Sequence, residues 1–175
     1  MPNNTRKEIE DSEESEFQKS VKKVLRILIG LFLIFLMLSF VVPQEVLLSL
    51  ALSKTPENYV IDLGNKEIVF EKAAYERLRD YYFTHQFSEF KLCLTGKIQD
   101  EKYIIDDLYS PKIFLATPVS VHSVSCSDGT LIDLHSHPFR NCLFSEQDVV
   151  SYNKLGKETI GAVMCDIDRF NFYVS

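Results

Sequence analysis

Two histidines, a serine and an aspartate fall within a fourteen-residue stretch of the 175-residue chain, from His135 to Asp148. The run before it, residues 130–134, is apolar and partly β-branched, which predicts a strand. Residues i and i+2 of a strand point to the same face, so His135 and His137 would direct two imidazoles at one point. Ser145 opens an amphipathic run and suits a helix N-cap, and Asp148, three residues on, shares its helix face.

This set of side chains could hold a metal ion. Two imidazole nitrogens (His135, His137) and one carboxylate oxygen (Asp148) make a three-ligand set for zinc that leaves a fourth position for water, as catalytic zinc sites require. Each residue also has an ordinary structural explanation, because histidines occur at strand ends, an aspartate in the first turn favours the helix dipole, and a serine caps. It is the joint spacing that favours the metal site.

The same residues resemble a known family. His-x-His-Pro, six residues, then Ser-x-x-Asp is similar to the signature of the JAMM (MPN-plus) metalloproteases. That family also has an upstream strand that runs Glu, six mostly apolar residues, Gly, and residues 89–96 match it from Glu89 to Gly96. Leu92 stands where many members carry another glycine, and Lys91 is an unusual polar residue in the run. The resemblance covers about residues 59–175.

By this resemblance, His135, His137 and Asp148 would be zinc ligands. Glu89 would be the general acid/base, and Ser145 would donate to the developing oxyanion. The implied fold is α/β, a cytidine-deaminase-like/MPN mixed, curved sheet flanked by helices. The implied activity is zinc-dependent hydrolysis of a peptide or isopeptide bond.

The resemblance also implies a substrate class, the carboxyl-terminal tails of ubiquitin-like proteins, which add a strand beside the active site. Only seven residues separate His137 from Ser145, so we expect recognition of the tail rather than of the folded body, or else a membrane-proximal peptide substrate. A second interpretation is a non-catalytic, membrane-tethered MPN-type binding or scaffold module, as in members that have lost the metal set. The presence of all five site residues favours the enzyme.

The amino-terminal part of the chain predicts a membrane anchor. Residues 1–23 are charged and almost free of apolar residues, which predicts a disordered tail. Residues 24–43 are predicted to be a transmembrane helix, because the stretch 27–42 carries no charge and Arg26 can extend its charge to the interface. A cleaved signal peptide is disfavoured by the acidic tail and by the lack of a small-x-small site.

Flanking charges predict the orientation of this helix. Lys19, Lys22, Lys23 and Arg26 lie just before its apolar run, whereas Lys54 is the only basic residue in the twenty residues after it. The amino terminus should therefore be cytoplasmic and the catalytic domain outside. From Ser53 onward there are 13 Lys and Arg against 18 Asp and Glu, a net charge of −5. That balance argues against nucleic acid as a partner.

The remaining pattern predicts a juxtamembrane segment and linker at 44–58 and one domain at 59–175. Its first predicted elements are a hairpin or a bent strand (59–63 and 67–70), a helix (71–83) and a hairpin (90–98 and 103–108). They are followed by two strands continuing the same sheet (112–116 and 119–125), the strand 130–134, the helix 145–155 and two last strands (160–166 and 170–174).

The four cysteines show no Cys-x-x-Cys spacing, so no structural zinc knot is expected. Each could be a small core residue, and a pair could be oxidised if the domain lies outside the cytoplasm. The sequence does not choose the pairing.

Overall fold

The computed structural model of the protein describes residues 4–41, 44–156 and 158–174. The first three residues of the predicted tail, the predicted end of the transmembrane helix at 42–43 and the last residue, Ser175, lie outside the described residues. The chain divides into two units between Gln44 and Glu45.

The first unit contains one long helix, α1 (Asn4–Val41). Within it, the 23-residue span Gln18–Phe40 contains an 18-residue window with a mean hydropathy of 2.3, and the span is long and apolar enough to cross a membrane. The structure differs from the expected disordered tail, since α1 extends back to Asn4. Residues 4–23 contain no glycine or proline and are rich in Glu and Lys, and extending an existing helix avoids the cost of nucleation.

The region predicted as a juxtamembrane segment and linker belongs, after its first residue, to the second unit. It begins with helix α2 (Gln44–Leu52), whose Ser49 is fully buried. Lys54 then pairs with Phe170 through backbone hydrogen bonds of 2.7 and 2.9 Å. The predicted domain boundary at residue 59 therefore comes too late, because backbone pairing and burial begin before it.

A curled, mixed seven-stranded sheet forms the centre of the second unit, in agreement with the predicted α/β class. Its strands are β1 Val60–Asp62, β2 Glu67–Phe70, β3 Lys91–Gln99, β4 Lys102–Tyr109, β7 Thr130–Ser136, β8 Ile160–Asp166 and β9 Arg169–Tyr173. They lie in the order β1-β2-β4-β3-β7-β8-β9, with β2/β4 and β7/β8 parallel and the other neighbours antiparallel. Besides α2, the described residues of this unit form the helices α3 Lys72–Thr84 and α4 Glu146–Tyr152.

Strands β5 (Ile113–Thr117) and β6 (Ser120–Ser123) form a separate two-stranded sheet. The prediction that residues 112–125 continue the main sheet is therefore wrong. The reason is that β4 is already flanked by β2 and β3, and β3 by β4 and β7, so no edge is open where the chain leaves β4. The small sheet is joined to the main one at Glu89, whose backbone N–H donates to the Thr117 carbonyl at 2.8 Å.

The central strands have two different faces. Alternate residues point to the core face, where buried apolar side chains of the strands meet those of α3: Leu92, Leu94, Ile132, Leu134, Ala162 and Met164 from the strands and Leu78 and Tyr82 from the helix. On the opposite face, called here the site face, Lys91 pairs with His135 and His135 with Val163. Helix α4 contributes Asp148 and Tyr152 to this face.

The structure pairs all four cysteines. Cys93 is paired with Cys126, with a Cα–Cα distance of 5.7 Å, and Cys142 with Cys165, with a distance of 5.1 Å. The first pair joins β3 to the segment after β6, and the second joins the loop after His137 to β8.

Candidate metal centre

His135, His137 and Asp148 converge at the carboxyl end of β7. The two Nε2 atoms lie 3.0 Å apart. Asp148 Oδ1 is 3.1 Å from His135 Nε2, and Asp148 Oδ2 is 3.4 Å from His137 Nε2. The side chains are only 10%, 11% and 14% exposed. The three groups expected to bind a metal from the sequence thus offer ligand atoms within 4.8 Å of one another and could hold a metal ion.

A tyrosine on the helix defines the tautomer of His135. The Tyr152 hydroxyl donates its single proton to the Ala162 carbonyl at 2.7 Å, so it must accept from His135 Nδ1, also at 2.7 Å. His135 therefore carries its ring proton on Nδ1. Its Nε2 presents a lone pair to the other two groups.

A backbone carbonyl defines the tautomer of His137. Its Nδ1 lies 3.0 Å from the Asn141 carbonyl, which can only accept, so this nitrogen also carries the proton. The backbone N–H of His137 donates to the Met164 carbonyl at 2.9 Å and extends the β7–β8 pairing by one residue. When both rings are neutral, two nitrogen lone pairs and a carboxylate therefore face one another, and this buried arrangement is stabilised by a proton or a metal ion between them.

Asp148 is fixed by the end of its own helix. Ser145 is the N-cap of α4, as predicted, and its Oγ accepts from the Asp148 N–H at 3.2 Å. In return, Asp148 Oδ2 accepts from the Ser145 N–H at 2.7 Å, which completes a capping box. The cap orients the carboxylate so that Oδ1 is directed at His135. The Ser145 hydroxyl is exposed and, besides accepting, retains one proton to donate.

The spacing of these atoms suits a small tetrahedral ion. Zinc binds imidazole nitrogen and carboxylate oxygen at roughly 2.0–2.2 Å, so two ligands of a tetrahedral site lie about 3.3 Å apart. The separations of 3.0 Å between the two Nε2 atoms and 3.1 Å between His135 Nε2 and Asp148 Oδ1 are close to that figure, and the separation of 3.4 Å joins His137 Nε2 to the other carboxylate oxygen, Oδ2. Three protein ligands would leave one position open.

Glu89 lies beside this group but not within it. Its Oε1 is 3.9 Å from His137 Nε2, and its side chain is 10% exposed. Glu89 lies two residues before β3, and the residue between them, Phe90, is bonded to the end of β7. The Phe90 N–H donates to Ser136 Oγ at 3.0 Å, and the Ser136 N–H donates to the Phe90 carbonyl at 2.9 Å. The pairing of β3 with β7 therefore brings a glutamate 46 residues upstream against the histidines.

Burial and mutual charge shift the ionisation of these groups. Burial raises the pKa of the Glu89 carboxyl above its ordinary value, although the nearby histidines oppose it. Burial lowers the pKa of the His137 imidazole, but the hydrogen bond and charge of Asp148 outweigh it and the net shift is upward. Burial likewise works against ionisation of Asp148, yet its bonds to both histidines hold its pKa far below the usual range. The pKa values of the two carboxyl groups are thus shifted in opposite directions, upward for Glu89 and downward for Asp148.

Tyr152 depends on a glycine beneath it. A Cβ added at Gly161 would overlap the tyrosine ring, so only glycine allows the ring to lie on β8 and direct its hydroxyl at His135. Tyr152 is 4% exposed, and burial raises its pKa well above the ordinary value, which keeps the hydroxyl protonated as the hydrogen-bond pattern needs.

A second glycine, Gly96, lies at a bulge of β3, where a Cβ would overlap the Ile104 carbonyl.

Sequence reasoning missed the residues that support the ligands. Tyr152 lies four residues after Asp148 and therefore on the same helix face, a spacing that could have identified it. Asn141 acts through its backbone carbonyl and Ser136 contacts the backbone of Phe90, so neither residue leaves such a signal. The unusual Lys91 is explained by a buried partner, since its Nζ lies 2.8 Å from Asp133 Oδ2 on the neighbouring strand.

No protein-family model matches the chain, and no curated protein matches it either.

Proposed function

We propose that this protein is a zinc-dependent hydrolase of peptide or isopeptide bonds. The observation that supports it most is the pair of histidines whose Nδ1 protons are held elsewhere, so that both Nε2 lone pairs face the Asp148 carboxylate. Imidazole nitrogens together with a carboxylate suit zinc. When bound, zinc supplies a Lewis acid that polarises a carbonyl group and makes a water molecule more acidic.

The protein's own groups would do the rest of the chemistry. Glu89 is held 3.9 Å from His137 with a raised pKa, which suits a carboxyl group that takes a proton from the attacking water and returns it to the leaving amine. Ser145, exposed at the start of α4, has a hydroxyl proton available for the developing oxyanion. The buried Tyr152 and the Asn141 carbonyl would keep the ligands oriented throughout.

The proposal also includes a fold, a family and a substrate class. We infer an MPN-type fold of the JAMM class because the motif residues meet in space as the resemblance implies. The substrate would be a peptide or the tail of a ubiquitin-like protein. Support for an extended substrate comes from the small β5–β6 sheet, which is joined to the main sheet at Glu89.

The location is inferred from two independent features. Basic residues crowd the amino-terminal side of the apolar helix, which favours a cytoplasmic amino terminus and an exterior domain. The pairing of all four cysteines in the second unit suits an oxidising compartment. We therefore propose a single-pass membrane protein with its hydrolase domain outside the cytoplasm.

The test uses the full chain purified in mild detergent and loaded with zinc. Cleavage of unfolded peptide and of a ubiquitin-like fusion is measured for the wild type, for Glu89→Gln and for the matched control Glu146→Gln, an exposed glutamate of α4. The amide keeps the shape of Glu89 but cannot accept a proton, so we expect unchanged zinc content and a loss of at least about 100-fold in kcat/KM, within the range for a general acid/base. Glu146→Gln should retain the wild-type rate.

Two results would contradict the proposal. A wild-type rate in Glu89→Gln would remove the assigned base. A wild-type protein that binds zinc and binds one of the two substrates, but cleaves neither, would favour the non-catalytic MPN-type binding or scaffold module.

A further inference from the structure

A serine far upstream of the metal centre contacts the loop behind it. Ser49 lies in α2 and is fully buried. Its hydroxyl donates to the Arg140 carbonyl at 3.0 Å and accepts from the Cys142 N–H. The two contacts reach over more than ninety residues of sequence and hold the backbone on both sides of Asn141.

The Cys142 N–H that contacts Ser49 belongs to the peptide group between Asn141 and Cys142. The Cys142 N–H and the Asn141 carbonyl are the two ends of one planar peptide group and point in opposite directions. The carbonyl end accepts from His137 Nδ1 at 3.0 Å, and the N–H end donates to Ser49. By fixing the orientation of this peptide plane, Ser49 therefore also fixes the carbonyl that accepts from the His137 imidazole.

The loop itself is not in a relaxed conformation. Phe139 and Arg140, both with side chains beyond Cβ, have φ angles of 62° and 60°. Such left-handed positions are unfavourable for residues other than glycine and persist only where surrounding contacts hold them. Without an anchor, this segment would have more relaxed conformations available, and the Asn141 carbonyl would no longer be fixed toward His137.

We propose that Ser49 is a positioning residue of the metal centre. It fixes the 141–142 peptide, which holds His137 in the Nδ1-protonated tautomer and directs Nε2 at the metal. The helix that follows the apolar helix in the chain is then part of the metal site, although it lies outside residues 59–175, where the motif is found. This inference rests on the metal site of the proposed function, but the orientation of His137 can be tested without any metal.

The first experiment measures zinc affinity of the full chain in mild detergent by competition with a chelator. Ser49→Ala should bind zinc about tenfold more weakly, the lower end of the effect of removing an outer partner of a ligating histidine. The matched control is Ser53→Ala, which removes a hydroxyl just after the same helix, one that contacts Leu50 and Arg169 instead of the loop. Ser53→Ala should keep the wild-type affinity.

A spectroscopic measurement separates positioning from a general structural role. The chain has only four histidines, so selective 15N labelling resolves the ring nitrogens of each one. In the metal-free wild type at a pH where the ring is neutral, His137 should show a protonated Nδ1. In Ser49→Ala, the ring should shift toward a mixture of tautomers, while His122 remains unchanged.

The outcomes are distinct. Equal zinc affinity in Ser49→Ala and the wild type, with an unchanged His137 spectrum, would overturn the inference, even if the variant unfolds at a lower temperature. If Ser49→Ala does not fold, an Nε2-protonated His137 in the metal-free wild type would overturn it equally, and an Nδ1-protonated ring would support it. A wild type that binds no zinc would refute the proposed function alone, since the tautomer comparison remains valid.

Discussion

The two faces of the central sheet are built from the same strands but are stabilised by different interactions. On the core face, Leu92, Leu134 and Met164 are fully buried or nearly so among other apolar side chains. On the site face, the alternate residues Lys91, Asp133 and His135 are also largely buried but are polar, and each has a specific partner. A single strand, β7, contributes to both faces.

The difference indicates that each face tolerates a different kind of change. An apolar core depends on volume and burial and has no directional requirement beyond shape. The site face depends on direction, because each buried polar atom there must meet a particular partner. Substitutions on the core face should therefore affect stability first, whereas substitutions on the site face should affect metal binding first and stability less.

The largest effect on stability is expected from Leu134→Ala on the core face. Leu134 is 1% exposed, so its truncation should lower the free energy of unfolding by about 2–5 kcal/mol. The matched control is Leu115→Ala in β5, where the side chain is 52% exposed and the loss should be below about 1 kcal/mol. Denaturant unfolding followed by near-ultraviolet circular dichroism measures both. Equal losses in the two variants would mean that this face is not the core.

His137→Ala should give the largest effect on metal binding. Losing one of three protein ligands should remove about a third of the roughly 10–16 kcal/mol typical of a zinc site, or about 200- to 6000-fold in the dissociation constant. The control is His122→Ala, a histidine exposed on β6. Chelator competition measures the affinity and elemental analysis the stoichiometry. Full zinc content in a folded His137→Ala protein would exclude this residue as a ligand.

Tyr152→Phe tests the supporting residue and should have a smaller effect. The ring remains on Gly161, but the hydroxyl that joins His135 Nδ1 to the Ala162 carbonyl is lost. We expect zinc affinity to fall by about 10- to 100-fold. Tyr173→Phe is the matched control, because its ring stacks on Tyr152 while its hydroxyl contacts Asn153. Indistinguishable zinc affinities in the two variants would show that Tyr152 only fills space.

The smallest expected effect is the pH dependence of the metal-free protein. Glu89 and His137 both have raised pKa values in the fold, so each binds its proton more tightly when folded. Their contribution is present at low pH and is lost as pH rises, above the ordinary value of 4.5 for Glu89 and above 6.5 for His137. The pKa of Asp148 is lowered, so its contribution is constant in this range.

The melting temperature of chelator-treated protein should therefore fall as pH rises above 6.5, and zinc should reduce that fall by replacing the proton. Glu89→Gln removes a buried ionisable group and should raise the melting temperature of the metal-free protein at pH 7, whereas Glu146→Gln should leave it unchanged. A metal-free melting temperature that rises between pH 6.5 and 8.5 would contradict the assigned shifts.

Much of the ligand geometry follows from local rules that the sequence contains. Alternation along β7 directs His135 and His137 to one face, and the three-residue spacing of Ser145 and Asp148 produces a capping box. Both features depend only on residues close in the chain. For the same reason, the strands and helices of the domain lie near their predicted positions, although α4 ends at Tyr152, earlier than the predicted residue 155.

Other features were decided by tertiary structure, because they join segments that no local pattern relates. The register of β3 against β7 brings Glu89 to the histidines, and the separate β5–β6 sheet exists because the main sheet has no free edge at that point. Ser49 contacts the loop after His137 from a helix that lies in the predicted juxtamembrane segment. The sequence determined which side chains could bind a metal, since ligand chemistry and spacing are local. Only the fold decided which groups orient them, since hydrogen bonds to backbone carbonyls and peptide N–H groups carry no signature in residue type.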